Sequence, residues 1–500
     1  MSKGAVLIIG AGMAGLAAAV LLASRGVAVT VIERASRPGG KMRELEVGGR
    51  YIDAGPTVFT MRWVFEDLFA DAGTRLDAHL KLLPLEIIAR HAWDTGGRLD
   101  LFADAQRSAE AIGDFAGAAE ARRYLGFHKA AQNIYETLEQ PFIRASRPTP
   151  LSLASRIGPF GARRLWNIRP FETLWGALGG HFKDPRLRQL FGRYATYSGS
   201  SPFLAPATLM LIAHVEQEGV WTVEGGMHQT AVALARLAEA KGVTFRYQSE
   251  VAEILTHRQG VRGVRLTTGE HLEASAVVTN VDVAALHQGL LGEAVRGLAP
   301  PAPGTERSLS ALTWNLVAET QGFPLLRHSV FFSRDYPGEF NAIFRDARLP
   351  TEPTVYICAQ DREGQDGPPP PGPERLLCLV NAPAIGDIHS FSPPEIEQCQ
   401  NHAFHLLERC GLRIRLNPET CRITSPTDFH RLFPATGGAL YGQASHGWKA
   451  SFNRPGTRTK LPGLYLAGGS VHPGAGVPMA ALSGRLAANC VLADLASTRR

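Results

Sequence analysis

The 500-residue chain is too long for a single core and fits roughly two to four domains. With 45% hydrophobic and 20% charged residues, it is not a disordered chain. Its net charge of +6 suits an anionic lipid surface or nucleic acid, but by itself such an excess reports mainly solubility.

Every residue from Ala5 to Ala23 is apolar or glycine, long enough to raise a membrane span or a signal peptide. Glycines at fixed offsets, no small-residue cleavage site and a second apolar run, VAVTVI, argue against both, so export is not expected. The stretch AVLIIGAGMAGLAAAVLLASRGVAVTVIER instead predicts strand, glycine turn, helix and strand over residues 6–9, 10–15, 16–25 and 27–32. Gly10 makes the turn, Gly12 lets backbone approach a pyrophosphate, and Gly15 lets the helix pack closely on the strand. Glu33 ends the second strand and can accept from ribose hydroxyls. The pattern predicts a bound dinucleotide but does not separate NAD from FAD.

Residues 105–221 read as mainly helical. Within them Phe160, Leu165, Trp166, Ile168, Phe171, Leu174 and Trp175 interleave with Arg163, Arg164 and Arg169. That mixture fits a monotopic surface on anionic lipid or, equally, a helical lid packed on its own core. The basic residues do not track an exposed aromatic platform, so no nucleic acid is expected. Beyond them come a turn at Gly225 and Gly226, a helix to Ala240, a strand ending at Val251, and a hairpin plus strand to Asn280 and Asp282. Strand-like runs LSALTWNLVAE, SVFFS, TVYICAQ and RLLCLVNAPA predict a mixed sheet walling a cavity. Cys399, His402, His405 and Cys410 have helical spacing, and Ile396, Cys399, Ala403, Leu406 and Cys410 make an apolar face. A core helix is expected there, not a metal site. Six cysteines without a CxxC pair indicate a reducing compartment.

The stretch ERASRPGGKMREL, with Gly39, Gly40, Lys41 and Arg43, resembles the second phosphate and ribityl contact of glutathione-reductase-like flavoproteins. Many of those families carry arginine where Lys41 stands. Flavoproteins of that architecture complete the cofactor site from the far end of the chain. Here LYLAGGSVHPGAGVPMAALSG reads as a strand, a glycine turn and a helix opening near Val477 with Pro478 in its first turn. Backbone without side chains suits a flat tricyclic ring, and a helix N-terminus favours the charge that grows there on reduction.

With GAGMAGLAAAVLLASRG, YIDAGPTVFT, WTVEGGM and GGALYG added, the chain resembles the flavin-dependent carotenoid desaturases, the phytoene-desaturase family. Two stretches, DAGPTVFTMRWVFEDLFADAG and GRYATYSGSSPFLAPATLMLIAHVEQEGVW, look closer to the hydroxyneurosporene (methoxyneurosporene) desaturase branch. The resemblance implies an α/β fold: a Rossmann-type, glutathione-reductase-like FAD-binding domain (1–58, 222–288, 452–500). It further implies an inserted mixed-sheet substrate domain (59–104, 289–451) and a helical, membrane-facing subdomain (105–221). It implies FAD contacts at Gly10, Gly12, Met13, Ala14, Gly15, Glu33, Arg34, Gly40, Lys41, Pro56, Thr57, Val251, Gly468, Gly469, Gly476, Val477 and Pro478.

The implied reaction is 3,4-desaturation of an acyclic carotenoid hydroxylated or methoxylated at C1. Hydride passes from an allylic carbon to flavin N5 and a neighbouring proton is lost. His472, Tyr197 and Glu224 are the candidate bases, each with a structural reading too: turn residue, cavity lining, and cap or ribityl contact. No second nucleotide fingerprint follows, so quinone or oxygen is the expected electron acceptor. A substrate insoluble in water has to leave the bilayer, so a cytoplasmic protein held peripherally at the inner membrane is expected. A carotenoid cis–trans isomerase, another desaturase or oxidase of the family, and a non-enzymatic lipid carrier are the alternatives on this fold.

Overall fold

Five parallel strands hold the two ends of the chain together. In the computed structural model, which describes residues 5–146, 148–157, 168–299 and 306–497, strand Val6–Ile9 lies between Ala276–Thr279 and Val29–Ile32. Leu464–Leu466 closes one edge of this sheet and Thr244–Arg246 the other. Val6–Ile9 and Ala276–Thr279 are buried throughout, as unbroken aliphatic runs must be when both faces of a parallel sheet are covered.

Helix Met13–Ser24 carries no charged side chain, and ten of its twelve residues are buried. It is therefore a core helix, covered by the C-terminal helix Val477–Ser497. The two backbones touch at Gly484, where a Cβ would stand 2.1 Å from the Ala14 carbonyl oxygen. Val477–Ser497 is long and apolar enough to cross a membrane, with a mean hydropathy of 1.2. Here its apolar residues Ala481, Leu482, Ala487 and Ala488 pack into the shared core instead.

The strand expected to end at Val251 stops at Arg246. Gln248 adopts a left-handed φ of 52°, and Gln248 and Ser249 donate to the carbonyls of Ala35 and Glu33. This break folds residues 247–250 over the Glu33 turn, and Val251 opens a separate antiparallel meander, Val251–His257, Gly260–Leu266 and His271–Glu273.

The four predicted strand-like runs appear as Ser310–Ala318, His328–Phe332, Val355–Ala359 and Glu374–Ala382 in one seven-stranded sheet with Ile87–Trp93, Arg98–Phe102 and Cys421–Thr424. Alternation along Glu374–Ala382 separates its two faces. Leu376, Cys378 and Val380 pack against Cys399, Ala403 and Leu406 of helix Pro393–Arg409, while Leu377, Leu379 and Asn381 line a cavity. Cys399 thus sits on a core face, as its spacing predicted.

Of the aromatic and arginine stretch, Phe160, Arg163, Arg164, Leu165 and Trp166 lie outside the described residues. Ile168 and Leu174 are buried, and Trp175 packs against Phe203 and Tyr336 with Arg188 over its ring. Phe171 is 67% exposed, and Arg169 pairs with Glu172 on the surface. The described part of the stretch is thus mostly inward-facing, with Phe171 as its exposed hydrophobe.

Candidate active site

Asn280 follows strand Ala276–Thr279 and stands between the two glycine turns. A Cβ on Gly12 would lie 2.5 Å from its Nδ2, and a Cβ on Gly468 would lie 3.1 Å from its Oδ1. The N-terminal and C-terminal turns, more than 450 residues apart in sequence, therefore close on one side chain. Gly39 N–H donates to the Ala11 carbonyl at 2.8 Å, and a Cβ on Gly40 would lie 3.2 Å from Gly12 Cα. Gly15 has the packing duty read from its spacing: a Cβ there would lie 2.1 Å from the Gly10 carbonyl oxygen.

One cavity of about 1020 Å³ runs past these turns. Gly10, Gly12, Met13, Ala14, Glu33, Arg34, Gly40, Lys41, Pro56, Thr57, Val251, Gly468, Gly469, Gly476, Val477 and Pro478 all line it. Gly15 alone among the expected contacts does not: it sits behind the turn. The buried Glu33 carboxylate accepts from Ala11 N–H at 2.6 Å and Ala35 N–H at 2.8 Å, one bond to each oxygen. Each oxygen keeps a lone pair for a ribose hydroxyl. Lys41 Nζ donates to the Leu440 carbonyl at 2.6 Å, and the Arg34 guanidinium donates to the carbonyls of Arg431 and Leu432. These two cations tie the nucleotide half to the end of helix Pro426–Leu432 and to the loop that follows it.

The C-terminal turn is held by a residue that sequence reasoning missed. Arg454 is buried, and it donates to the Gly469 carbonyl at 2.7 Å and the Gln443 carbonyl at 2.8 Å. Burial pushes its pKa down to about 10, against the opposing charge of Asp282. At Gly469 itself a Cβ would meet nothing nearer than Ala475 Cα at 3.7 Å. The protein has room for a side chain there, so its own packing does not account for the glycine. The first turn of Val477–Ser497 carries no acidic side chain, leaving its N–H dipoles uncompensated beside Gly476.

The three candidate bases separate. Tyr197 lines the cavity, but its hydroxyl donates to Glu216, and burial together with that carboxylate raises its pKa. It keeps its proton. His472 does not line the cavity. Its ring is 2% exposed, packs edge-on to Phe142 and donates from Nε2 to the Phe142 carbonyl at 3.0 Å. Burial pushes this imidazole down to about 4. Glu224 is also off the wall, in a surface ion pair with Lys81 at 2.6 Å. His472 and Glu224 are structural residues. The helix start beside Glu224 is held by another acid, buried Asp53, which accepts from Met227 N–H at 2.7 Å and His228 N–H at 3.0 Å.

The family profile of flavin containing amine oxidoreductases matches residues 13–492. The chain belongs to that family. Within it the chain stands with the carotenoid desaturases: it is 56% identical to hydroxyneurosporene desaturase of Rubrivivax gelatinosus, over 99% of this chain and 94% of that protein. It is 47% identical to the enzyme of the same name from Cereibacter sphaeroides, over 99% of both. It is also 30% identical to 4,4'-diapolycopene oxygenase of a Methylomonas species, over 98% of both. A redesigned putrescine oxidase shares the fold, with a TM-score of 0.62 at 15% identity over 98% of this chain and 99% of that one. The protein is a flavin-dependent oxidoreductase of α/β fold, and FAD is its cofactor.

The cavity fits that group on its own geometry. Backbone alone lines it at Gly12 and Gly40, where the pyrophosphate would lie, Glu33 would take the ribose, and Gly469 and Gly476, where a Cβ would meet no atom nearer than 3.7 Å, would leave room for the ring. Gly469→Val is expected to abolish FAD retention while leaving the far-UV spectrum unchanged, measured as flavin absorbance per chain; normal flavin content would refute the ring seat. Because folding lowers the His472 pKa from 6.5 to about 4, its neutral form favours the folded state fully above about pH 6.5. That contribution is lost as pH falls toward 4, on the order of 3 kcal/mol. His472→Gln keeps the N–H donor and is expected to flatten this stretch of the stability–pH curve; an unchanged slope in denaturant titrations counts against the assignment.

Proposed function

We propose that the protein desaturates an acyclic carotenoid carrying a hydroxyl or methoxy group on C1, forming the 3,4 double bond. One observation carries this reading: a single cavity joins the glycine seat to an apolar wall. That wall is built by Leu138, Phe142, Ile143 and Leu211 from the helical region and by Leu377 and Leu379 from the mixed sheet. A volume of about 1020 Å³ is at the upper end for one small-molecule site, as expected where a dinucleotide and a long substrate share it. The similarity to hydroxyneurosporene desaturases over nearly the whole chain supports the oxygenated substrate.

Bound FAD supplies the two-electron acceptor for hydrogen leaving carbon. The chain's own part is alignment and exclusion of water. Apolar side chains hold the polyene against the glycine seat, where a fixed pose replaces a random encounter. Among the described lining residues no histidine or carboxylate stands on the helical or mixed-sheet wall, so proton loss next to a conjugated chain is left to the flavin-binding side of the cavity. Quinone or oxygen is the proposed acceptor of the electrons.

Peripheral contact with the inner membrane is part of the same reading. Trp448 lines the cavity yet is 38% exposed, Phe171 packs edge-on to it at 5.4 Å, and Lys449 lies over its ring at 5.2 Å. Aromatic rings with an adjacent cation at a cavity mouth suit a lipid surface.

Co-expression with a pathway making the C1-hydroxylated carotenoid is expected to yield a pigment with one more conjugated double bond, read by chromatography and absorbance. An unaltered or merely isomerised pigment would overturn the desaturase reading. Phe171→Glu with Trp448→Glu is expected to lower co-sedimentation with anionic vesicles several-fold; undiminished binding would place the docking surface elsewhere.

A further inference from the structure

The wall given by the helical region and the mixed sheet is uncharged among the described residues except at Arg193. Arg193 opens the turn Arg193–Ser198 and is 9% exposed. Among the described residues its guanidinium makes one hydrogen bond, to the Tyr197 hydroxyl at 3.3 Å, and its Nε is buried without a partner. A guanidinium carries five donors, and leaving most of them unpaired in an apolar cavity is costly. A wall built for a pure hydrocarbon has no use for such a group.

The surroundings keep the cation in place. Glu216 is 3% exposed and accepts from the Tyr194 hydroxyl at 2.6 Å and from the Tyr197 hydroxyl. Burial opposes the charge on Arg193, but Tyr197, Glu216 and Tyr194 together more than offset it. Since the Tyr197 proton is committed to Glu216 and one lone pair accepts from Arg193, its second lone pair is left toward the cavity. Tyr356, joined to Thr57 by a 2.6 Å hydrogen bond, lines the same cavity as Arg193, Tyr197 and Pro56.

We propose that Arg193 and Tyr197 bind the oxygen at the end of the substrate, Arg193 donating to its lone pair and Tyr197 accepting the proton of an alcohol. This assignment rests on the functional reading above and deepens it. An oxygen on C1 is three bonds from C3, so a group that holds it also sets which carbons face the ring. A donor-only guanidinium serves a hydroxyl and a methoxy oxygen alike, because both present lone pairs. A polyene without the oxygen leaves those donors buried and unpaired, which is how a hydrogen-bonding pocket rejects the analogue lacking its partner.

The test compares three substrates in detergent or vesicles: an acyclic carotenoid with a C1 hydroxyl, its methyl ether, and the same carotenoid without oxygen. The wild-type enzyme is expected to prefer both oxygenated forms by about tenfold or more in kcat/KM. Arg193→Met with Glu216→Gln, which keeps the buried charges balanced, is expected to bring that ratio toward one; Arg193→Lys is expected to restore part of it. Flavin content and far-UV spectra establish that each variant is folded. If the double variant loses FAD, Tyr197→Phe is read instead and is expected to disfavour the alcohol relative to the ether. A wild-type enzyme that desaturates none of the three overturns the functional reading and this assignment with it. Wild-type turnover with unaltered ratios in the variants, or an equal loss on all substrates, overturns the assignment alone.

Discussion

The site depends on the grip of two side-chain-free turns on Asn280. Gly12 approaches it from one side and Gly468 from the other, and neither position has room for a Cβ without displacing that amide. Strand pairing makes the arrangement unavoidable: Val6–Ile9 and Leu464–Leu466 flank Ala276–Thr279, so both turns leave the sheet at the same edge. Parallel strands place their C-terminal ends together, and ligands of open α/β sheets bind there. Arg454 then fixes the second turn from behind, through carbonyls it could not reach in any extended chain.

The parts of this site that were legible in the sequence are those where geometry allows one residue type. Gly10, Gly12 and Gly15 could be read because a tight turn, a close ligand and a close helix each exclude side chains. The stretch at 464–484 could be read for the same reason. For His472 and Glu224 the sequence left a base and a structural residue both open, because residue type reveals chemistry but not direction. The first points at a carbonyl 330 residues away, and the second at Lys81, 143 residues away. Arg193 was invisible for the opposite reason: in FGRYATYSG it looks like any surface arginine, and only the packed fold encloses it. The strand end at Arg246 was missed because Gln248, a residue with no turn signal, takes the left-handed conformation.

The mixed sheet shows a further limit of pattern reading. Strand Glu374–Ala382 carries leucines on both faces, yet one face is packed core and the other is cavity wall. A surface meant for a hydrocarbon substrate has the composition of a surface meant for a neighbouring helix. Periodicity could locate the strands of this sheet but could not tell which side was left open. The same holds for Ile168, which reads as part of a lipid-facing stretch and instead lines the cavity.

Because Leu464–Leu466 is an edge strand and Gly484 locks the last helix onto Ala14, the binding site spans the whole order of synthesis. A ribosome making this protein exposes the phosphate turn on the order of half a minute or more before the strand that completes the sheet exists. Until then Ala276–Thr279 presents an unpaired edge, and helix Met13–Ser24 lacks its cover. The vitamin-derived prosthetic group can be captured only once that late strand and the turn after it have emerged, so the newborn molecule carries an open edge and an unfinished seat over the same interval.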